Sequence, residues 1–445
     1  MEKTPGGFIA AILLTLVTAA VPVSAKEARD STAVKTGWTW SGVPNLAFSS
    51  YQGIQLGAQG HVYFHGDGSH YPQPIHDIGA KFSWYSKGNI NVNLSYDSKF
   101  LIPGIRFSVS ATYTNEPMFH FYGYNGAAQL FDKALGASLY GMNRNLTKFS
   151  SGFQGTIWKN FSWAAGFTFW GMQTSALYGR FAEKFCPDGD KTFYTQYVNA
   201  GLIRHNETHG GNHFEFNAGV AYDSRDKEAA PERGIWTELY AFGDLDMFRT
   251  GYEYLKLAFH FRHYMSLPWN WKGGGMVFAY HLGYQGTVAG EVPYYMQQNI
   301  CMLVQRQVIS EGLGSSNTIR GTGQNRMIGD GVAWLNAELR VKLVSFQLLR
   351  QFLYVGVCPF YDMGMIVQPY RADEHFAYVK TYEPQMTRSD YNSLVHTPVH
   401  SLGGGISIGW NENFVGLIQI AKTLNLADRG MDEGAWINLG IGYAF

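Results

Sequence analysis

Residues Asn317 to Lys342 read NTIRGTGQNRMIGDGVAWLNAELRVK, and the pattern changes part of the way along this stretch. The first half is polar, rich in glycine and without a regular period. From Trp334 onward the chain alternates between an apolar set, Leu335, Ala337, Leu339, Val341 and Leu343, and a polar set, Asn336, Glu338, Arg340 and Lys342. A period of two predicts a β-strand with one apolar and one polar face. Such a strand suits a barrel with lipid outside and water inside.

The same alternation, bounded by turn residues, recurs along the chain and predicts sixteen strands. We place them at residues 42–49, 52–64, 76–85, 89–98, 105–114, 144–158, 161–175, 213–223, 234–245, 251–265, 274–288, 333–343, 352–366, 401–411, 414–423 and 435–445. An even number is typical of single-chain bacterial barrels, and strands of about ten residues tilted by about 40° span an apolar band of roughly 25 Å. The sequence therefore predicts an all-β protein, a transmembrane antiparallel β-barrel of about sixteen strands.

The composition agrees with a membrane barrel better than with a soluble enzyme. Aromatic residues make up 16% of the chain, charged residues make up 15%, and there are 52 glycines. Such a composition is typical of a barrel in which Trp and Tyr form girdles at the membrane surfaces. Because the formal net charge is zero and no basic run occurs, no nucleic-acid partner is expected.

The first 25 residues have the pattern of a secretory signal peptide that is removed after export. Lys3 supplies the positive charge, Ile9 to Val21 the apolar core, and Val23 to Ala25 the small residues of a cleavage site. Residues 26–445 are then one outer-membrane barrel domain. Nothing in that remainder approaches the run of about 20 apolar residues that a membrane-spanning helix needs.

Connection lengths predict the orientation of the barrel. Counted from a periplasmic N-terminus, most periplasmic turns are short, as at Trp158 to Phe161 and Asn411 to Phe414. The long connections, near residues 115–143, 176–212, 289–332 and 367–400, all fall on the other side. Short turns on one side and long loops on the other are typical of outer-membrane barrels. Arg320 then lies in the sixth outer loop.

Three short motifs stand out, at residues 319–340, 222–234 and 360–364. The first is Ile319-Arg320-Gly321 with the following strand, the second is a polar turn, and the third is a strand that contains Asp362. Together they resemble the BamA/TamA superfamily of outer-membrane barrels, the bacterial surface antigen family, from about Phe214 to Phe445. The residues that match the family's periplasmic turn are Asp223, Arg225, Asp226 and Gly234.

Two departures from this family limit what the resemblance implies. The long members carry periplasmic POTRA domains, which receive clients, but Lys26 to about Ser41 is too short for a folded domain. Phe119 to Gly126, FHFYGYNG, resembles a loop segment of the short members that lack POTRA domains. Thr322 stands where the family usually has an aromatic residue, so no role of a ring is carried over to it.

The resemblance implies that the sixth loop folds back into the lumen and is locked there through Arg320 and Gly321. A guanidinium out of bulk water needs carboxylate partners, because an unpaired buried charge is very costly. By strand parity, Glu338 and Asp362 both point inward. The alternative is that Arg320 is an ordinary solvated loop residue.

The final strand is the second candidate functional element. Its alternating residues, Ile437, Leu439, Ile441, Tyr443 and Phe445, resemble the C-terminal targeting strand of outer-membrane barrels. Paired with the first strand near Val43 to Ser49, this strand closes the barrel. In the resembled family this seam can open sideways, and a fully paired, static closure is the alternative.

Patterns of catalytic and metal-binding residues carry little weight. Gly405 to Gly409 matches G-x-S-x-G, but that chemistry needs a turn from strand to helix, and here the match lies inside a predicted strand. His205, His209 and His213 lack the spacing of a zinc site and are expected to be solvated. Neither a catalytic residue nor a metal or other cofactor is therefore predicted.

Three cysteines, Cys186, Cys301 and Cys358, fit an exported protein that does not depend on disulfide bonds. The first two fall in long predicted loops and the third lies within a strand. Spacing alone leaves both possibilities open for Cys186 and Cys301, a disulfide or two unpaired thiols.

Two classes of function follow from the sequence. The first is a non-enzymatic outer-membrane barrel that resembles assembly and translocation factors and inserts or passes protein or lipid. Its expected partners are outer-membrane lipid, protein clients and periplasmic or lipoprotein accessory subunits. The second is a plugged diffusion or substrate channel, similar to a porin, that retains the lock only to hold its plug.

Overall fold

The computed structural model describes residues 34–49, 52–132, 137–177, 191–228, 230–271, 273–304, 307–348, 351–410, 414–431, 434, 436–441, 443 and 445. The predicted signal peptide lies outside these residues. The main strands are β1 (Trp38–Ser49), β2 (Gly53–Phe64), β3 (His76–Tyr85), β4 (Ile90–Ile102), β5 (Ile105–His120), β6 (Gly141–Trp158), β7 (Phe161–Ser175), β8 (Gly210–Asp223), β9 (Gly234–Leu245), β10 (Glu253–Ser266), β11 (Gly275–Gly290), β12 (Gly331–Leu348), β13 (Gln351–Val357 and Phe360–Gln368), β14 (Val399–Trp410), β15 (Phe414–Thr423) and β16 (Trp436–Ile441).

Neighbouring strands pair in antiparallel fashion, and β16 pairs with β1, so the sheet closes into a barrel. Strand β13, predicted to be continuous, is interrupted where Pro359 offers no N–H to the ladder. Its two halves share the neighbours β12 and β14, and between them Cys358 and Gly405 exchange two backbone hydrogen bonds. Counted with β13 as one strand, the 17 paired segments form sixteen strands, which confirms the predicted fold class.

Alternate side chains of each strand face out of the barrel and into it, as the period of two predicted. On β3 the outward Ile78, Phe82 and Trp84 are 47%, 50% and 41% exposed, as a lipid-facing surface requires. On β10 the inward Lys256, His260 and Arg262 are buried. The end with the short turns carries five exposed tryptophans, Trp38, Trp40, Trp158, Trp269 and Trp271, whereas the exposed Trp84 of β3 lies near the opposite end.

The long connections gather at the opposite end and form what we call the cap. It comprises loop 3 (121–140), loop 4 (176–209), loop 6 (291–330) and loop 7 (369–398). The described parts of these loops contain four short α-helices, which the sequence pattern did not predict: α1 (Phe193–Asn199), α2 (Tyr294–Gln297), α3 (Ala372–Tyr382) and α4 (Arg388–His396). Among the described residues, no helix is both long and apolar enough to cross a membrane.

Loop 6 begins in the cap, and its middle part folds down into the barrel. It contains a small hairpin, Asn299–Cys301 paired with Val308–Glu311. Beyond the hairpin, Ile319, Arg320 and Met327 are almost completely buried among side chains of the barrel wall. The lumen is therefore filled by the chain's own sixth loop, as expected for the predicted fold.

The last strand is shorter than predicted. Strand β16 ends at Ile441, whereas the alternation extended it to Phe445. The alternation places Tyr443 and Phe445 on the same face as Ile437 and Leu439, but they turn instead toward the buried side chain of Arg340 in the lumen. The guanidinium lies 4.0 Å from the Tyr443 ring and donates to the Phe445 carbonyl oxygen over 2.8 Å, and these contacts replace continued strand pairing.

Candidate functional site

The centre of the lumen is an ion-pair cluster around Arg320. Its guanidinium donates to Asp362 through Nε at 2.8 Å and Nη2 at 2.7 Å, and its backbone N–H donates to the same carboxylate at 3.0 Å. Nη1 donates to Glu338. The guanidinium carbon also lies 3.5 Å from the centre of the Phe360 ring. Loop 6 is thus held against β12 and β13 by directional, charge-assisted contacts.

A second arginine completes this cluster. Arg340, on the lumen face of β12, donates through Nε to Glu338 at 3.0 Å. The set of Arg320, Arg340, Glu338 and Asp362, which we call the lock, therefore has two positive and two negative charges, and each side chain is at most 5% exposed. A buried set of this kind is tolerable because its charges balance. Removing one member leaves the buried charge of another without compensation.

Gly321 and Thr322 bring the same loop against β15. The backbone of Gly321 has φ +94°, and a Cβ there would lie 3.1 Å from backbone atoms of Lys422, so a side chain would push the loop away. Thr423 donates to the Gly321 carbonyl at 3.0 Å, and its hydroxyl lies 3.2 Å from that of Thr322. Thr322 therefore makes a short polar contact with the wall at the position where a ring was expected.

Loop 6 is also held on the opposite side of the lumen. Arg144 of β6 forms ion pairs with Glu116 of β5 and with Glu311 of loop 6. Its guanidinium lies 3.7 Å from the centre of the Phe119 ring, and Gln324 of loop 6 also donates to Glu311. Because β5 and β6 lie about half-way round the barrel from β12 and β13, the loop bridges two walls.

The sequence interpretation missed this second anchor, Arg144 with Glu116 and Glu311. Strand parity places Arg144 on the lumen face of β6, so the signal that it is a buried charge was present. Its partner could not be identified, because Glu311 lies 167 residues away in a loop without a period. Arg340 was assigned to the polar face of its strand, but its contact with Phe445 was not foreseen.

Of the junctions between neighbouring strands, the seam between β1 and β16 has the fewest paired positions in the described part of the chain. Among the described residues, it contains two paired positions, Phe48 with Leu439 and Ser49 with Asn438. By contrast, β1 pairs with β2 at all twelve residues from Trp38 to Ser49. A junction with so few paired backbone groups has little to hold it closed.

A cavity of about 390 Å³ lies directly behind this seam. One wall is the half of β1 nearer the cap together with most of β16, and the other is loop 6. The lining is mainly polar and rich in carboxamides, including Asn45, Gln55, Asn317, Gln324, Gln419 and Asn438. The lumen beside the seam is therefore open and polar, whereas the lumen around the lock is filled.

Above the lock, the cap is tied together by buried polar side chains. Asn125, in the FHFYGYNG run, donates to the Tyr370 carbonyl at 2.8 Å and accepts from the Tyr370 N–H at 2.7 Å, which joins loop 3 to loop 7. Arg371 forms two hydrogen bonds with the buried Glu207 at 2.7 and 2.8 Å, and reaches Glu291 at 2.9 Å. Loops 3, 4, 6 and 7 are therefore one connected unit.

His375 of α3 lies inside this unit, with its ring nitrogens 2.9 Å from the Tyr391 hydroxyl and 3.0 Å from the Tyr197 hydroxyl. Burial lowers the pKa of His375 to about 3 because the ring loses the hydration that stabilises its charged form. The cap is thus built around a neutral histidine.

The turn motif lies at the other end of the barrel and does not contact Arg320. Arg225 donates to both oxygens of Asp223, at 2.9 and 2.6 Å, and Asp226 accepts from the backbone at Glu232 and Arg233. Gly234 has φ +109°, and a Cβ there would lie 2.4 Å from a backbone oxygen. These four motif residues, Asp223, Arg225, Asp226 and Gly234, shape the turn between β8 and β9.

The residues considered for metal binding do not form a site. His213 is buried and its ring contacts Asp244 at 2.7 Å and Tyr295 at 2.9 Å. Within the described ranges, no three His, Cys, Asp or Glu side chains come together so that they could hold a metal ion. Cys301 is buried in the cap, whereas Cys186 lies outside the described residues, so their pairing stays an open prediction.

Comparison with known proteins agrees with this architecture. The sequence matches the Omp85 superfamily domain over residues 78–445. No curated protein matches it. The structure of BamA from Haemophilus ducreyi lacking POTRA domains 1–3 is similar, with a TM-score of 0.56, 13% identity, and coverage of 91% of this chain and 70% of that one.

CdiB from Escherichia coli is similar with a TM-score of 0.51 and 10% identity, over 90% of this chain and 62% of CdiB. CdiB from Acinetobacter baumannii has a TM-score of 0.50 and 10% identity, over 92% and 60% of the two chains. This chain thus spans less than two thirds of either CdiB, and at these identities the likeness concerns the fold. The family match covers most of the sequence, and the chain belongs to the Omp85 superfamily, as its motifs indicated.

Proposed function

We propose that the protein is an integral outer-membrane barrel that inserts or passes polypeptide or lipid at that membrane, with loop 6 and the β1–β16 seam as its moving parts. Nothing in this mechanism requires covalent chemistry. The protein works by holding a plug in place, releasing it, and presenting a lumen and a weak seam to a client. Protein clients and accessory subunits in the periplasm are the partners that this function needs.

The observation that carries the proposal is the seam with its cavity. In the part of the chain that the structure describes, two paired positions join β1 to β16, against twelve between β1 and β2, so most of the described β1 edge has no partner on β16. An unpaired strand edge is a template for an added strand. The cavity of about 390 Å³ behind it provides polar space on the lumen side of that edge.

The lock supports the same function. Ion pairs on both walls hold loop 6 in the lumen while the barrel is idle. Because the buried charges balance only when the loop is in place, they favour this one closed position. Release then needs a client or subunit that binds the released state more tightly, because a ligand shifts an equilibrium only by its differential affinity.

One feature favours the alternative, a plugged diffusion channel. Loop 6 is anchored at both Arg320 and Glu311, which resembles a permanent plug more than a moving part. In a channel of this kind, solutes pass beside the plug, and the seam has no role in transport. The two functions therefore differ in whether the seam must open.

A reversible disulfide across the seam tests this difference. Phe48→Cys with Leu439→Cys joins the two strands at a paired position, and Leu46→Cys with Leu56→Cys makes a matched bridge between β1 and β2. Each pair is introduced into cells that depend on the plasmid copy of the protein. The outer-membrane and secreted proteomes are then compared under oxidising conditions and after a reductant is added.

The proposed function predicts that the seam bridge, when oxidised, depletes a defined set of outer-membrane or secreted components, and that reduction restores them. The bridge between β1 and β2 should have no effect. If the seam bridge leaves both proteomes unchanged while solute uptake through the barrel persists, the protein is a channel and the proposal is wrong.

A further inference from the structure

We propose that Arg340 is a positioning residue that couples the end of the last strand to the lock of loop 6. Two groups of contacts meet on its side chain. On one side it donates to Glu338, the carboxylate that also binds Arg320. On the other side it donates to the carbonyl oxygen of Phe445 at 2.8 Å. The chain segment that follows the seam strand is therefore connected to loop 6 through one guanidinium.

The Phe445 contact is reinforced by aromatic rings. The guanidinium carbon of Arg340 lies 4.0 Å from the Tyr443 ring centre and 5.2 Å from that of Phe445. The Tyr443 hydroxyl lies 3.4 Å from that of Tyr354 on β13. A planar guanidinium can bind a carboxylate, a carbonyl and a ring at once, and a lysine cannot reproduce that geometry.

Charge balance explains why the position of loop 6 and the position of the segment beyond β16 depend on each other. Glu338 shares its two oxygens between Arg320 and Arg340, so each arginine relieves part of the cost of burying that carboxylate. If loop 6 withdraws Arg320, the lock retains two carboxylates, and Arg340 is drawn more strongly to them. Its geometry toward Tyr443 and Phe445 then changes, and the segment beyond β16 loses its anchor.

The coupling also operates in the reverse direction, since a coupling free energy between two sites is reciprocal. A client that displaces the segment 441–445 from Arg340 would weaken the hold on loop 6. This inference rests on the proposed function for its biological purpose, because that function makes the loop and the seam the moving parts. The coupling itself can be measured without any transport assay.

Lys342 provides a matched control. It follows Arg340 on the same face of β12 and is also cationic. It contacts Glu232 at 3.3 Å and lies 4.8 Å from the Tyr354 ring, but it does not contact Glu338. A change at Lys342 therefore removes a lumen charge of the same sign without touching the lock.

Hydrogen exchange of the folded, detergent-solubilised full chain tests the proposal. Exchange is followed by mass spectrometry in two peptides, one from loop 6 (residues 313–327) and one from the end of the chain (residues 436–445). Arg320→Ala should speed exchange in loop 6 and also in residues 436–445, by on the order of 2- to 100-fold, the range for residues that share one ion-pair network.

In the Arg340→Met background, adding Arg320→Ala should cause no further change in residues 436–445. Lys342→Met, which leaves the lock intact, should leave exchange in loop 6 at the native rate. If Arg340→Met yields no heat-modifiable barrel, Arg340→Lys and Tyr443→Ala replace it, because both keep the positive charge. The proposal is overturned if Arg320→Ala speeds exchange in loop 6 but leaves residues 436–445 at the native rate. A negative result in the seam-bridge experiment would leave this outcome unaffected.

Discussion

Arg320 and Asp362, 42 residues apart in the sequence, meet in the lumen through three hydrogen bonds, two from the guanidinium and one from the backbone N–H of Arg320. Both side chains have no exposed surface. The pair fixes the backbone of loop 6 as well as its side chain, so the position of the loop depends directly on one carboxylate of β13.

Replacing Arg320 by alanine should release loop 6. The substitution strands the charges of Glu338 and Asp362, and breaking one partner of a buried ion pair costs on the order of 3–5 kcal/mol. We expect larger and more frequent openings in planar lipid bilayers and faster proteolysis of loop 6, with the heat-modifiable barrel still present. Unchanged conductance and protease sensitivity would make Arg320 an ordinary loop residue.

A double substitution tests whether Arg320 and Glu338 act through one contact. Glu338→Gln combined with Arg320→Ala should be little worse than Arg320→Ala alone, since residues in contact are not additive. Conductance and loop proteolysis are measured for both single variants and the double variant. Simple additivity of the two effects would contradict a shared contact.

Substitutions at the second anchor of loop 6, around Arg144, should destabilise the barrel to different degrees. Arg144→Met strands the buried Glu116, whereas Glu311→Gln leaves the Arg144–Glu116 pair intact, at 2.6 Å. We expect Arg144→Met to lower the free energy of barrel unfolding more than Glu311→Gln does, by at most about 3–5 kcal/mol, and therefore to lower the unfolding temperature further. Arg106→Met, which breaks a half-exposed pair with Asp97, should cost less than about 1 kcal/mol. Equal effects of all three would contradict a buried cross-lumen anchor.

Acid should loosen the cap through His375. Its pKa in the folded protein is lowered to about 3, below its usual value of 6.5, so the unfolded cap binds a proton first as the pH falls. The contribution to stability is fully present above pH 6.5 and is lost progressively between about pH 6.5 and pH 3. Amide exchange in residues 372–396, corrected for intrinsic rates, should rise from pH 7 to pH 5, and His375→Gln should remove much of this rise. The same pH dependence in both proteins would assign it to other groups.

Protease added to whole cells should cut the cap and spare the opposite end. Loop 7 contains the half-exposed Arg388, whereas the turn at residues 227–234 is predicted to be periplasmic. Fragments from intact cells are compared with those from lysed cells, in which both regions are accessible. Cleavage of the turn at 227–234 in intact cells would contradict the orientation.

Phe445 should matter for assembly. Deleting it removes the final aromatic residue of the predicted targeting strand and its contact with Arg340, so the heat-modifiable barrel should accumulate more slowly. Phe445→Trp keeps a ring and should assemble normally. Normal barrel levels after the deletion would show that targeting does not depend on this residue.

The sequence by itself determined the barrel and the direction in which its side chains point. The period of two is a local property of an extended chain, so Glu338 and Asp362 could be assigned to the lumen, and the alternation of short turns and long loops followed from the strand positions. The resemblance of the motif at Ile319-Arg320-Gly321 then predicted which loop enters the lumen.

Only the tertiary structure decided which inward residues meet. Strand parity predicts which face of a strand a side chain occupies, but not which residue it meets across the lumen. The sequence therefore did not predict the pairing of Arg144 with Glu311. Nor did it predict that Asn125 and Glu207 connect loops 3, 4 and 7. The end of β16 shows the same limit. Its alternation continues to Phe445, but the seam offers few partners, and the buried guanidinium of Arg340 draws the segment inward, because tertiary contacts outweigh a local pattern where strand pairing is weak.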